Sequence, residues 1–304
     1  MRAAPTRREA ILAAAAWVVP ATLVAGRGQG ASAATAAERA LAALESRAGG
    51  RLGVCLLDTA SGQMVGHRLD ERFAMCSTFK LPLAAIVLRK AEQGRLRLDE
   101  VLPITKADLV SFAPVTEPKV GQGMTISALA EAAQVTSDNV AANLLLARLG
   151  GPATFTAALR ALGDDVTRLD RTEPMLNLVK AGEVLDTTTP RAMAQTLARV
   201  LAGDGLAAAS RERLIGWMRA TTTGTKRLRA GLPASWQAGD KTGTAQAAAM
   251  TDKVNDIGMA WPPGRSALAI TAYFDSSRRS AETRDDDQAT LAEVGRIAAG
   301  WATA

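Results

Sequence analysis

Hydrophobic positions fall along this chain in two rhythms. Near both ends they alternate with a period of two, and between those ends they recur at helical spacing. Residues 52–58 and 63–68 read as two strands joined at Thr59-Ala60-Ser61-Gly62, a hairpin. Residues 235–244, 255–261 and 268–274 read as three more strands. Helical spacing appears over 36–47, ended by Gly49-Gly50, and over the apolar run that begins at Leu83 and stops near Gly94. It returns over 126–135 behind a Thr125 cap, over 141–149, and after Gly150-Gly151-Pro152. Thr189-Pro190 opens a helix to about Leu201, and 210–220 and 287–301 read as two further helices. Residues 95–123 and 165–187 are irregular. Strands at both ends with helices between predict an α/β plus all-α architecture: an antiparallel sheet built from both chain ends, flanked by helices, with an inserted helical domain. The expected division is 1–33 as an export segment, 34–75 with 220–304 as the sheet domain, and 76–219 as the helical domain, including a loop over 171–186.

The first 33 residues change that picture most. Arg2, Arg7 and Arg8 precede an apolar segment from Ile11 to Ala25, broken at Pro20, and Ala31-Ser32-Ala33 is a small-x-small cleavage site. This reads as a signal peptide, and the mature protein is expected in the periplasm or secreted. Arg7-Arg8 in Thr6-Arg7-Arg8-Glu9-Ala10-Ile11-Leu12 also resembles a twin-arginine signal, so both export routes stay open. No later stretch has the length of a membrane span. The formal net charge of the 304-residue chain is +6, of which residues 1–33 carry +3, leaving too little on the rest to argue for nucleic acid. The single histidine, His67, excludes a Ser-His-Asp triad and reads as structural at a strand end. The two cysteines, Cys55 and Cys76, read as buried thiols packing as small hydrophobes. No metal-ligand cluster stands out.

Candidate chemistry begins at Cys76-Ser77-Thr78-Phe79-Lys80. Ser77 and Lys80 are three apart, neighbours on one helical face, with Ser77 at the donor-rich N-terminus. A desolvated lysine can help deprotonate a serine, although an ordinary helical pair has the same spacing. Four further groups follow. Ser137-Asp138-Asn139 lies between two helices, where Ser137 can relay a proton and Asn139 can meet a substrate amide; an interhelical cap would use the same residue types. Arg171-Thr172-Glu173-Pro174-Met175-Leu176-Asn177 lies in the long irregular stretch. Glu173 and Asn177 could hold one water, with Glu173 as a general base and a cis bond at Pro174 aiming it inward. Arg171 and Asp186 could clamp the loop's two ends. Arg227 offers a planar fork for a carboxylate, or is a surface arginine. Asp240-Lys241-Thr242-Gly243-Thr244 makes a cationic strand edge, where Gly243 would allow a close approach.

Ser-x-x-Lys, Ser-Asp-Asn, Glu-Pro-x-Leu-Asn and Lys-Thr-Gly, in this order, resemble a class A serine β-lactamase across essentially the whole mature chain. The resemblance implies a serine hydrolase without cofactor or metal, acting as a monomer on a small β-lactam, with no nucleic-acid partner and no stable membrane association. It implies that Ser77 forms an acyl-enzyme, that Lys80 and Glu173 share proton removal, and that Ser137 passes a proton to the departing nitrogen. It implies an oxyanion hole from the backbone N–H groups of Ser77 and Thr244. Asn139 would hold the substrate's side-chain amide. Lys241, Thr242, Gly243, Thr244 and Arg227 would surround its carboxylate, and Phe112 would line the mouth. Glu173 with Asn177 would activate the deacylating water.

Three departures bear on this. Gln246-Ala247-Ala248-Ala249-Met250 holds no arginine after Lys-Thr-Gly, which favours Arg227 as the carboxylate ligand. The stretch from Lys241 to Asn255 is about four residues longer than the resemblance leads one to expect, a longer hairpin at the pocket rim. Ala245 stands where some relatives carry a cysteine that bridges to the residue before the nucleophile, so Cys76 lacks that partner. The rival readings are a penicillin-binding DD-peptidase and a β-lactam sensor that acylates without turnover, with a serine-dependent glutaminase more distant. Glu173 with Asn177, a deacylation apparatus, distinguishes a β-lactamase from the DD-peptidase; sensors usually carry a membrane-anchored signalling part, and none is read after residue 33.

Overall fold

Alternation in the strand over Gly50–Asp58 sends Leu52, Val54 and Leu56 to one side and Cys55 and Leu57 to the other, and all five are buried. A strand buried on both faces must lie inside a sandwich of helices. The computed structural model describes residues 25–248 and 250–304 and has that architecture.

In chain order, helix α1 spans Ala25–Ala48, followed by β1 (Gly50–Asp58), β2 (Met64–His67) and β3 (Phe73–Ala74). A 3-10 turn, Cys76–Phe79, leads directly into α2 (Lys80–Glu92). β4 (Val101–Pro103) and β5 (Gly123–Thr125) bracket an irregular stretch, then come α3 (Ile126–Val135), α4 (Asn139–Leu149) and α5 (Pro152–Arg160). β6 (Thr187–Thr188), α6 (Pro190–Leu201), α7 (Ala208–Arg219) and the single-turn α8 (Leu228–Gly231) follow. β7 (Gln237–Ala247), β8 (Met250–Trp261), β9 (Leu268–Ser276) and α9 (Asp285–Thr303) close the fold.

The main sheet has the order β2-β1-β9-β8-β7, with every neighbouring pair antiparallel. β1 therefore pairs with β9, which joins the two chain ends. One face carries Leu52, Val54, Leu56, Ile270, Ala272 and Phe274 against Leu41, Leu44, Leu291 and Val294 of α1 and α9. The other face carries Cys55, Leu57, Ile257, Met259 and Tyr273 into the larger core, shared with α2, α3, α4, α6 and α7.

The capping residues act as their chemistry predicts. Thr125 Oγ1 accepts from Ala128 N, and Thr189 Oγ1 accepts from Ala192 N, each at 3.2 Å. Pro152 and Pro190 stand at the first helical positions. His67 ends β2 and contacts Glu45 at 3.0 Å. Four expectations need correction. The first helix begins at Ala25 rather than 36; its first turns hold Gly26, Gly28 and Gly30, poor helix formers, so neither propensity nor period announced them. Ser77 sits in a 3-10 turn ahead of α2, not in the α-helix itself. The short pairs β3–β6 and β4–β5 and the helix α8 were not foreseen, being too brief to show a period. The strands expected to stop at 244 and resume at 255 run on as paired strands to Ala247 and from Met250, with a register shift between Ala245 and Ala247. The signal-peptide expectation for residues 1–24 lies outside the described residues.

Candidate active site

The site is assembled where α2 begins, beside the edge strand β7. Cys76 has a positive φ of 48°, which tips the chain into the 3-10 turn and presents Ser77 beside β7. Phe112, Ser137 and Asp186 also have positive φ, at 64°, 65° and 56°. Non-glycine residues in this region are uncommon and gather where function constrains the backbone. Gly243 brings β7 close: a Cβ there would stand 2.7 Å from Met75 O and 3.2 Å from Cys76 Cβ. The close approach expected at Gly243 is thus made by the chain's own nucleophile turn.

Lys80 is fully buried at the centre. Its Nζ donates to Ser77 Oγ at 2.9 Å, to Ser137 O at 2.8 Å and to Asn139 Oδ1, and it lies 2.9 Å from Glu173 Oε1. Ser77 Oγ also donates to Glu173 Oε1 at 3.1 Å. Burial pushes the Lys80 ammonium below its usual pKa, while the Glu173 charge pulls it back up. Lys241 is fully buried as well and donates to Ser137 Oγ at 2.9 Å and Thr242 O at 2.8 Å. Burial, then the neighbouring Lys80 charge, drives Lys241 well below its usual pKa. Ser137 therefore lies between two lysines, each inclined to lose a proton.

Asn177 Nδ2 donates to Glu173 Oε2 at 2.5 Å, and Asn177 Oδ1 is buried without a hydrogen-bond partner among the described residues. The Glu173-Pro174 bond is cis. The loop is clamped as expected: Asp186 Oδ1 accepts from the N–H groups of Asp170 and Arg171, and its Oδ2 pairs with Arg171 Nε. Asn143 was missed. Its side-chain amide donates to Glu173 O and accepts from Glu173 N, both at 2.9 Å, fixing the backbone that carries the carboxylate. One amide within the apolar helix Asn-Val-Ala-Ala-Asn-Leu-Leu-Leu was the available signal.

The three residues of Ser137-Asp138-Asn139 are placed differently. Asp138 is the cap: it accepts from Ala141 N and from the N–H groups of Val115 and Thr116, tying α4 to the 111–116 loop. Ser137 and Asn139 face the site, and Asn139 Nδ2 donates to Ser111 O at 2.8 Å. Arg227 is no surface arginine. Only 5% exposed, it donates to Gly243 O, Asn255 O and Thr244 Oγ1 at 2.8–3.1 Å.

A cleft of about 500 Å³ opens onto this cluster. Ser77, Ser137, Asn139, Asn177, Thr242 and Thr244 line it, Arg227 closes one end, and Phe112 stands at its mouth, 58% exposed. Lys80, Glu173, Lys241 and Gly243 stand behind its wall, so Lys241 meets the cleft through Ser137. Ser111, Thr223, Gln246 and Thr283 also line it and were not foreseen. Cys76 and Cys55 are free and buried; Cys76 packs with Val179, Ala245 and Met250.

The arrangement has the chemistry to make a nucleophile of Ser77 and to polarise a water beside Glu173. Comparison with known proteins gives the family. A model of the Beta-lactamase enzyme family matches residues 36–302. Beta-lactamase L2 of Stenotrophomonas maltophilia is 49% identical over 267 residues, covering 88% of this chain and 86% of that protein. Beta-lactamase CTX-M-8 of Citrobacter amalonaticus is 46% identical over 257 residues, covering 84% and 87%. Among solved structures, an ancestral class A β-lactamase superposes with a TM-score of 0.82 at 54% identity, covering 86% of this chain and 98% of that one.

Proposed function

The chain belongs to the class A β-lactamase family and is a β-lactam hydrolase, and from that premise we propose how its residues divide the reaction. Ser77 Oγ attacks the lactam carbonyl of a penicillin or cephalosporin, its proton passing to Lys80 or Glu173, which lie 2.9 and 3.1 Å from it. The backbone N–H groups of Ser77 and Thr244 hold the oxyanion. As the C–N bond opens, Ser137 hands a proton to the nitrogen and is resupplied by the lysines on either side. Asn139 receives the substrate's side-chain amide, and Arg227, Thr242 and Thr244 receive its carboxylate, with Lys241 and Gly243 shaping that wall. Glu173, with Asn177, then draws a proton from water, which cleaves the Ser77 ester. The product is an inactive acid, and the outcome for a cell is β-lactam resistance.

One observation carries this reading: a single carboxylate, Glu173, touches Ser77, Lys80 and Asn177 at once. A sensor that stays acylated needs no such deacylation apparatus, and a DD-peptidase trapped by a β-lactam releases that adduct slowly. The reading includes export with loss of residues 1–33, a monomer acting in the periplasm or outside the cell, and the division into a sheet domain (34–75, 220–304) and a helical domain (76–219). Two observations support it: no helix among the described residues is long and apolar enough to cross a membrane, and the α1 residues recorded in the core all lie at or after Ala34. The test is steady-state hydrolysis of a chromogenic cephalosporin. Ser77→Ala is expected to abolish it, and Glu173→Ala to slow it about 10²–10⁴-fold. Wild-type rates in Glu173→Ala would sink the assignment.

A further inference from the structure

Among the described residues no carboxylate pairs with Arg227. Its three hydrogen-bond acceptors are two backbone carbonyls and a hydroxyl, and its Nε is buried without a partner among the described residues. A buried guanidinium placed this way keeps its charge available to an anion in the cleft, but neutral acceptors alone hold it weakly. The segment that carries it is short and irregular, running from Thr221 through the left-handed turn at Gly224 (φ 85°) to α8. Something else must fix it.

Two aspartates on the underlying sheet meet that need. Thr242 pairs with Asp256 and Asp240 pairs with Gly258 across β7 and β8, so the two carboxylates leave the same face as diagonal neighbours. Both are at most 1% exposed. Asp256 Oδ2 accepts from Leu228 N at 3.1 Å, the peptide next to Arg227. Asp240 Oδ2 accepts from Arg229 Nε at 2.7 Å, and Arg229 Nη2 reaches Thr221 O and Thr223 O at 2.8 Å. The second oxygen of each aspartate, Oδ1, is buried with no partner among the described residues. Glycines make room for them: a Cβ at Gly224 would lie 2.9 Å from Asp240 Oδ2, and one at Gly258 would lie 3.2 Å from Asp240 Cβ. Burial pushes the Asp240 carboxyl up to about 6, and burial together with the Asp240 charge pushes Asp256 well above the usual range. A protonated Asp256 still accepts from Leu228 N, and it leaves the Arg227 charge uncancelled.

We infer that Asp256 and Asp240 are positioning residues for substrate recognition: they anchor the backbone on either side of Arg227, aim its guanidinium at the substrate carboxylate, and do so without neutralising it. This rests on Arg227 as the carboxylate ligand, and the test separates the two ideas. One cephalosporin is assayed as the free acid and as its carboxylate methyl ester, and the acid-to-ester ratio of kcat/KM is followed. Arg227→Ala lowers the ratio. Asp256→Ala lowers it roughly tenfold, through KM for the acid with kcat little changed. Asp256→Asn, which keeps an acceptor for Leu228 N, retains the wild-type ratio. The double variant Arg227→Ala/Asp256→Ala is no worse than Arg227→Ala alone. Arg229→Met, at a more exposed position, moves the ratio in the same direction and serves if Asp256→Ala does not fold. A ratio lowered by Arg227→Ala but unmoved by folded Asp256→Ala or Arg229→Met overturns the inference, as does an equal loss on acid and ester. A ratio unmoved by Arg227→Ala overturns the inference together with the assignment beneath it.

Discussion

Lys80 is a buried cation that touches Ser77, Ser137, Asn139 and Glu173. An ammonium has three protons to give, and here it meets more acceptors than it can satisfy. Its burial favours the neutral amine, so a proton can move within this cluster at small cost. Asp240 shows the opposite shift, and that has a consequence for stability. Its folded pKa is raised from 3.8 to about 6, so between those values the folded state holds a proton that the unfolded chain has lost. Its contribution is fully present below 3.8 and is lost as pH rises through about 6. Urea unfolding of wild type and Asp240→Asn at pH 4 and pH 7 measures this: wild type is expected to lose stability relative to the variant as pH rises, and parallel behaviour contradicts it. Ser77, Lys80 and Glu173 were legible as residues because reactive types stood at spacings with a mechanism. Asn143, Asp240 and Asp256 were not, because each is one polar residue whose purpose appears only when another element lies against it.

At the scale of elements, the site depends on how closely β7 approaches the 3-10 turn that holds Ser77. Gly243→Ala would place a methyl group 2.7 Å from Met75 O and 3.0 Å from Thr78 Cγ2. The strand must move away, at a cost of about 1–3 kcal/mol. Displacing the oxyanion donor by a fraction of an ångström should slow kcat about 10–100-fold, measured beside the melting temperature. The loop bearing Glu173 depends instead on α4. Asn143→Ala removes both hydrogen bonds to the Glu173 backbone, which should cost about 1–3 kcal/mol and slow deacylation more than acylation. Accumulation of acyl-enzyme in a pre-steady-state trace checks it; equal slowing of both steps contradicts it. The helices capped by Thr125 and Thr189 could be placed from sequence because a cap and a period coincide there. The turn at Cys76–Phe79 was hidden because its backbone runs on into α2, with Phe79 and Lys80 both in helical φ/ψ.

The whole molecule joins distant parts of the chain. β1 pairs with β9, the turn holding Ser77 packs against β7, and Glu173 arrives on a loop almost a hundred residues after Ser77. Alternation near both ends made the sheet legible in the sequence, but the order β2-β1-β9-β8-β7 was not, since no local signal selects strand partners. Because the α1 residues recorded in the core, Ala34, Ala37, Leu41 and Leu44, all lie after residue 33, removal of residues 1–33 should leave the fold intact. The intact mass of the exported protein is expected to match a chain starting at Ala34, and an unprocessed N-terminus contradicts that. The central claim is that Ser77 takes the acyl group and that Glu173 is needed to release it. Mass spectrometry of wild type and Glu173→Gln, each mixed with excess cephalosporin, tests it most directly. The claim predicts that wild type consumes the substrate and returns to its free mass, while the variant retains one acyl group on the peptide containing Ser77. A lasting stoichiometric adduct on wild type, or a variant that clears its adduct at the wild-type rate, would contradict it.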